Sequence, residues 1–466
     1  DATQEMFDAG HAFEAYAEKL FPDAIKLGFG NFNEYTELPA RTKDALDGGA
    51  KTILQGRLEV DGLTCIFDIL FRVNENEFDL IEIKASTKAK PEHEYDLAFQ
   101  MLVLEKSGYK VRNISVIHTN KEYVRDGDVD HKGITDQTDV TENVKALKEL
   151  TEQQISKAIE ILQGERPDIS PRFVNQIGVP KVKWIEEWMV IFNLLKPIDD
   201  PYNIYKISYP TAEQIGKLED AGIKRIADIP DEYSLREKQS AQIKTTRDNH
   251  RIIDKQSIQN YLNTFKYPLY FFDYETFSSV IPHFDGGSPY ADYPFQYSLH
   301  VINSVGSEPR HLEYLHKDAT NPMPHLLKKL KNDIGNTGTV LAWNMIYEKG
   351  CNDRMAKLYP EYKEFLNNLN KRIKDLKIPF SEIWFFDKDF FGSASVKKVL
   401  PVLVPELSYK VLAVSDGLLA RRTWTKTFLE GENHSQREKI YADLSKYCTL
   451  DTYAMVRILE KLKVVI

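Results

Sequence analysis

Cysteine is scarce in this chain: Cys65, Cys351 and Cys448 are the only three in 466 residues, and no CxxC spacing occurs. That excludes a disulfide framework and a four-cysteine zinc or iron–sulfur site, and a cytoplasmic setting fits best. No run of eighteen apolar residues is present, so neither a membrane span nor a membrane partner is expected. The opening stretch, "DATQEMFDAGHAFEAYAEKLFP", lacks the charged start and apolar run of a signal peptide. It also lacks an initiator Met, which reads as a trimmed chain. There is no internal repeat and no low-complexity tract. Positive charge is in deficit, with 61 Lys and Arg against 70 Asp and Glu and a net charge of −9. Such a balance ordinarily argues against nucleic acid. The argument weakens where carboxylates hold metal, because the ion restores positive charge locally.

What remains is an ordinary globular composition, 42% hydrophobic and 28% charged. A chain this long exceeds one core, so two or three domains are expected. The pattern divides at about 140 and 262. Residues 1–140 read as helix, strands, helix, strand: "HAFEAYAEKLF" has helical spacing, "LTCIFDILFRV" and "EFDLIEIKAS" read as strands, "EYDLAFQMLVLEKSGY" is helical and "VRNISVIHT" is again a strand. Residues 141–262 form a helical connector that includes "TENVKALKELTEQQISKAIEILQ" and the Pro-containing "ERPDISPRFVNQIGVPKV". Residues 263–466 return to strands and then helices. The fold class is therefore α/β, two modules joined by helices.

In the second α/β module, "YFFDYETF" buries two acids in an aromatic strand. Residues two apart on a strand share a face, so Asp273 and Glu275 point together. Two adjacent buried carboxylates are tolerable when a divalent cation lies between them. Further ligands are available in "LAWNMIYEKG", which offers Glu348, and in "YCTLDTYAM", where Tyr447 and Asp451 share a helix face at i, i+4. In order, these residues resemble the three motifs of the DEDD 3′→5′ exonucleases, in the Tyr version found in ribonuclease D and proofreading exonucleases. Position 446 is Lys, so the His version is absent; Glu348 stands where the family has Asp, one methylene longer. The resemblance implies a ribonuclease-H-like fold and two Mg²⁺ or Mn²⁺ ions. Asp273, Glu275, Glu348 and Asp451 would be the ligands, and Tyr447 would orient the attacking water.

In the first module, centring a hairpin turn near Glu75 sets Asp68 opposite Glu82, and strand alternation sets Lys84 on the face of Glu82. One hairpin thus gathers a carboxylate pair and a cation. This resembles the PD-(D/E)xK nucleases, and more closely their RecB-like branch, through His11 in "AGHAFEAYAEKLFP" and Gln100 in "DLAFQMLVLEKSGY". The resemblance implies metal ligation by His11, Asp68 and Glu82, with catalytic roles for Lys84 and Gln100. Many RecB-like relatives carry an iron–sulfur cluster, but the stretch after the core, "ERPDISPRFVNQIGVPKVKWIEEW", contains no cysteine, so none is expected.

Nearly the whole chain is similar to an uncharacterised bacterial family that fuses two such modules. That family usually has a lead-in before "AGHAFE", so the first few dozen residues are expected to be missing. "VKKV" and "ARR" are candidates to line a nucleic-acid path, and "LEDAGIKRIADIP" reads as a short connector around Gly222. The expectation is a metal-dependent nuclease acting on DNA, with RNA as the alternative substrate. The competing reading is a nucleic-acid-binding scaffold with only one active module.

Overall fold

The computed structural model describes residues 2–165, 168–174, 185–233 and 235–466. Residues 166–167 and 175–184, which take in much of the proline-containing connector, lie outside the described residues. The chain divides into two compact units, Asp1–Glu186 with Ser278–Ala291, and Glu187–Phe277 with Asp292–Ile466. No helix among the described residues is long and apolar enough to cross a membrane.

The first unit opens with helices α1 (Ala2–Ala17) and α2 (Phe32–Asp47). Its six-stranded mixed sheet runs in the order β1 (Ile25–Lys26), β2 (Thr52–Val60), β3 (Leu63–Arg72), β4 (Glu77–Ile83), β5 (Lys110–Thr119) and β6 (Thr135–Asp139). β3 and β4 form an antiparallel hairpin that pairs Ile69 with Ile81 and Leu70 with Leu80. One step further sets Asp68 across from Glu82, the register anticipated from the turn. β4 and β5 run parallel, so a crossover must join them, and helix α3 (Pro91–Lys106) supplies it. Leu97, Ala98, Met101 and Leu104 of this helix pack on Phe67, Leu80 and Val116 of the sheet.

A second apolar cluster is built on α1, whose Phe13 and Ala17 join Leu54, Ile69, Ile81, Ile83 and Ile117. Val280, from the Ser278–Ala291 segment, completes that cluster. Arg125 Nη1 donates to the carbonyls of Pro282 and His283 at 2.7 and 2.8 Å, and the Tyr290 hydroxyl donates to the Ala85 carbonyl. The stretch that reads as one polar helix in the sequence is interrupted at Leu147, giving Thr141–Ala146 and Lys148–Gln163.

In the second unit the main sheet contains β8 (Leu269–Phe277), β9 (Tyr293–Ile302), β10 (Arg310–Leu315), β11 (Thr339–Ala342) and β12 (Ile373–Asp375), in the order β10-β9-β8-β11-β12. A separate small ribbon pairs β7 (Ile252–Ile253) with β13 (Phe385–Phe386). β8, β11 and β12 are parallel, while β9 and β10 form an antiparallel meander with β8. Alternation along β8 sends Phe272 and Tyr274 to one face, where their rings meet at 4.5 Å and the Tyr274 hydroxyl donates to Asn352 Oδ1 at 2.9 Å. Asp273 and Glu275 point to the opposite face. The long C-terminal helix, Arg437–Val465, packs there on β8 and β9.

Residues from 187 to 262 belong to this second unit in contact terms. Arg251 Nε pairs with Asp387 Oδ2 at 2.5 Å, and the Tyr202 hydroxyl donates to Asp389 Oδ1 at 2.5 Å. Around Gly222, a small core of Ile204, Ile207, Leu218, Ile226, Ile229 and Ile243 closes the connector on itself.

Candidate active sites

The acidic face of β8 is the focus of the second unit. Cross-strand pairing sets Asp273 beside Ser298 and Glu275 beside Gln296, so the buried face is polar on β9 as well. The C-terminal helix is keyed onto that face by side chains. Ser298 Oγ and His300 Nδ1 both meet Thr452 Oγ1, at 2.7 and 2.8 Å, and Gln296 Nε2 donates to the Leu444 carbonyl at 3.3 Å. With Thr452 fixed, its neighbour Asp451 and the residues one turn earlier, Tyr447 and Cys448, face the two carboxylates. Ligand-capable atoms of Asp273, Glu275 and Cys448 lie within 4.8 Å of one another.

Electrostatics express the same proximity. Burial, then Asp451, Glu275 and Glu348, push the Asp273 carboxyl well above the ordinary carboxylate value. Burial, then Asp451, do the same to Glu275, with Lys397 opposing. Asp451 is pushed up by burial to about 6, held back by hydrogen bonds from Tyr409 and Tyr447 and by Lys397. The Tyr409 hydroxyl donates to Asp451 Oδ1 at 2.6 Å. Glu348 is 2% exposed and is pushed up to about 8 by burial and by nearby Asp375.

Glu348 Oε2 is buried without a hydrogen-bond partner. A buried carboxylate oxygen left unpaired costs several kcal/mol unless a cation or proton compensates it. Four carboxylates supply hard oxygen donors, and such a set fits Mg²⁺ or Mn²⁺. Cys448 lies beside that set, but its thiol is a soft donor that Mg²⁺ and Mn²⁺ do not favour over carboxylate oxygen. Gly417 leaves room on the other side: a Cβ there would lie 3.5 Å from Glu275 Oε2 and 3.9 Å from the Tyr447 hydroxyl.

In the first unit, the hairpin brings Asp68, Glu82 and Lys84 together. Asp68 Oδ2 accepts from the Ile83 amide at 2.7 Å, and Lys84 Nζ meets Glu82 Oε1 at 2.7 Å and Asp96 Oδ2 at 3.2 Å. Gln100 is buried on α3 and donates to Glu82 Oε2 at 3.1 Å, leaving its own side-chain oxygen without a partner. Burial, then Asp68, push Glu82 up to about 8, and Asp68 is itself raised, chiefly by burial. Burial alone would lower Lys84; the Glu82 carboxylate followed by Asp96 outweighs it and leaves the amine raised. Lys84 therefore keeps its proton and its charge beside Glu82 and Asp96.

Among the described residues, His11 joins none of them by a hydrogen bond. It is exposed on α1, and one turn later Glu14 occupies the inward position. Gln55 Nε2 donates to both Glu14 Oε1 and Asp68 Oδ1, the latter at 3.2 Å. Sequence reasoning missed Glu14, Gln55 and Asp96 here, and Tyr409 and Asp375 in the second unit. Helical spacing could have found two of them, since Glu14 is i+3 from His11 and Asp96 is i−4 from Gln100. Gln55 carries no such signal: it sits mid-strand with φ +55°, a conformation its neighbours do not announce. Tyr409 comes from a single 3₁₀ turn, Tyr409–Val411, 42 residues before its partner.

Comparison with known proteins finds a family match to part of the chain. Residues 270–395 match a family described as a domain of unknown function, DUF2779. The matched stretch takes in Asp273, Glu275 and Glu348 and ends before Lys397, Tyr447 and Asp451. The chain is also similar to the Uncharacterized protein MG366 of Mycoplasma genitalium, 26% identical over 221 residues, which are 43% of this chain. That match spans about a third of the relative's length, 32%. No solved structure matches the chain.

Proposed function

We propose that this chain is a metal-dependent nuclease that hydrolyses phosphodiester bonds in DNA, with a 3′→5′ exonuclease site in the second unit and a RecB-like site in the first. The observation that carries the reading is the convergence of Asp273 and Glu275 of β8 with Asp451 of the C-terminal helix packed on that strand, with the unpaired Glu348 oxygen buried nearby. The sheet order β10-β9-β8-β11-β12, with its antiparallel first three strands, supports a ribonuclease-H-like second module. The β3–β4 hairpin with Asp68, Glu82 and Lys84 supports a PD-(D/E)xK first module.

In the second site Asp273, Glu275, Glu348 and Asp451 would hold Mg²⁺ or Mn²⁺. Two such ions would supply activation of the water and stabilisation of the departing 3′-oxygen. The chain's own contribution is positioning. Burial, then Asp451, hold the Tyr447 phenol far above its ordinary range, so it stays protonated and orients the attacking water rather than taking its proton. The water oxygen bonds to phosphorus as the bond to the 3′-oxygen of the preceding nucleotide breaks, releasing a 5′-nucleotide. In the first site Lys84 stays charged and would meet the negative charge that develops on the phosphate. Glu82 and Asp68 would hold the metal, with Gln100 fixing Glu82.

End-labelled single- and double-stranded DNA and RNA, incubated with Mg²⁺ or Mn²⁺, test the reading. Asp273→Ala or Asp451→Ala should abolish trimming from the 3′ end while leaving activity of the first site, and Asp68→Ala with Glu82→Ala should do the reverse. A single Asp273→Ala or Asp451→Ala variant with full activity on every substrate overturns the assignment of the second site.

A further inference from the structure

Lys397 stands out among the basic residues of the second unit. It lies in the first turn of the helix Val396–Leu403, half-buried, with Nζ 5.7 Å from the ring centroids of both Tyr409 and Tyr447. Those rings flank Asp451: the Tyr409 hydroxyl donates to it, and Tyr447 supports it from one turn earlier on the same helix. The ammonium group therefore sits beside the acidic cluster. Its field reaches both Glu275 and Asp451. Yet among the described residues Lys397 forms no ion pair with any carboxylate, although four acids lie in the neighbourhood. Its neighbour Lys398 points away, over the Phe391 ring at 5.8 Å.

A lysine serving only as counter-charge would close onto a carboxylate, as Lys84 closes onto Glu82 at 2.7 Å in the first unit. Lys397 instead holds its three donors over two tyrosine rings, near the hydroxyl that would orient the water. An ammonium in this place matches an anion that arrives with the substrate and is displaced from the metal ligands by a few ångströms. The anion with that relation to the ligands is the phosphate under attack.

We propose that Lys397 is a catalytic residue of the second site, donating to a non-bridging oxygen of the scissile phosphate at a nucleic-acid 3′ end. The proposal rests on the reading of that site as phosphodiester-hydrolysing. It assigns Lys397 to the substrate rather than to the metal. A fixed donor aimed at developing charge is worth about 10²–10³-fold in rate.

The experiment uses the full chain in a Glu82→Ala background, which silences the first site, with Lys397→Met and Lys397→Arg compared to that parent. Single-turnover trimming of a 5′-labelled DNA oligonucleotide is measured at saturating enzyme with Mn²⁺, and Mn²⁺ binding is measured separately by calorimetry. The expected result is a rate loss of about 10²-fold or more for Lys397→Met with Mn²⁺ affinity and stoichiometry unchanged, and substantial recovery in Lys397→Arg, which keeps a charged donor. Two results overturn the role of Lys397 alone: trimming by Lys397→Met within twofold of an active parent, or loss of Mn²⁺ affinity in step with the rate, which would make it a counter-charge for the acids. A parent that binds no Mn²⁺ and trims nothing overturns the reading of the site itself, and Lys397 with it.

Discussion

Replacing Glu348 by Gln removes one ionisable carboxyl from the acidic cluster while keeping the side chain's length and shape. Burial and the neighbouring Asp375 raise the Glu348 carboxyl from an ordinary 4.5 to about 8. The folded, metal-free chain therefore holds this proton more tightly than the unfolded chain does. Its favourable contribution is complete below the unfolded value and drains away as pH rises through the folded one. Every tenfold gain in proton affinity on folding corresponds to about 1.4 kcal/mol, so the total is on the order of a few kcal/mol, shared with the coupled acids. In EDTA, Glu348→Gln should melt close to the parent below the ordinary carboxylate value and several degrees above it at pH values beyond about 8. Added Mn²⁺ should invert the order, because ligand binding stabilises only the parent. Parent binding should release protons at neutral pH, visible as a calorimetric enthalpy that varies with the buffer's ionisation heat. Melting curves that coincide at every pH, or equal Mn²⁺ affinity in the two proteins, would refute the reasoning.

Tyr409→Phe removes the hydrogen bond that holds Asp451 down near about 6. Without it the carboxyl rises, so the acidic limb of the pH profile for trimming should move upward, while the rate at high pH stays nearer the parent's. An unmoved acidic limb would show that Asp451 does not depend on Tyr409. In the first unit, Val280→Ala should cost about 2 kcal/mol, since Val280 is 2% exposed in the α1 cluster. The loss should appear as a lower melting temperature of the first unit, and a chain cut after residue 186 should be destabilised more. A fragment ending there that melts with the intact unit would exclude a structural role for 278–291.

Local pattern carried much of this architecture. Two-residue alternation predicted that Asp273 and Glu275 share a face, and the turn at Glu75 predicted the register that puts Asp68 across from Glu82. Both follow from the strand's own geometry, which needs no knowledge of distant chain. What pattern could not convey was which remote segment closes each face. Val280 follows β8 in sequence but joins Phe13 and Ile83 in the first unit, because apolar burial is non-directional and leaves no periodic trace in a loop. His11 illustrates the same limit on a smaller scale. Its helix was anticipated, but the rotation of that helix about its axis was not, and Glu14 is the residue that reaches the Asp68 side.

Glu348 is the residue where local expectation and tertiary arrangement meet most directly. Its helix, Met345–Leu358, is held against β8 from two sides of Glu348. Tyr347 shares a hydrogen bond with Thr276, and Asn352 accepts from the Tyr274 hydroxyl at 2.9 Å. Thr276 and Tyr274 flank Glu275, so the helix is fixed relative to the very strand that carries the acids. Asp375 adds a third tie by accepting from the Met345 amide at 3.3 Å. With the backbone held in this way, the distance from residue 348 to the cluster is set before its side chain is chosen, and the proposed role calls for the longer Glu arm. Glu348→Asp therefore should not improve the site, although it restores the residue usual in the exonucleases this module resembles. Shortening the arm by one methylene against a fixed helix should weaken Mn²⁺ binding and slow trimming by at least about tenfold, as misplacing a group by an ångström commonly does. Trimming by Glu348→Asp at or above the parent's rate would show that the helix yields, and that the extra methylene is a tolerated drift rather than a fitted length.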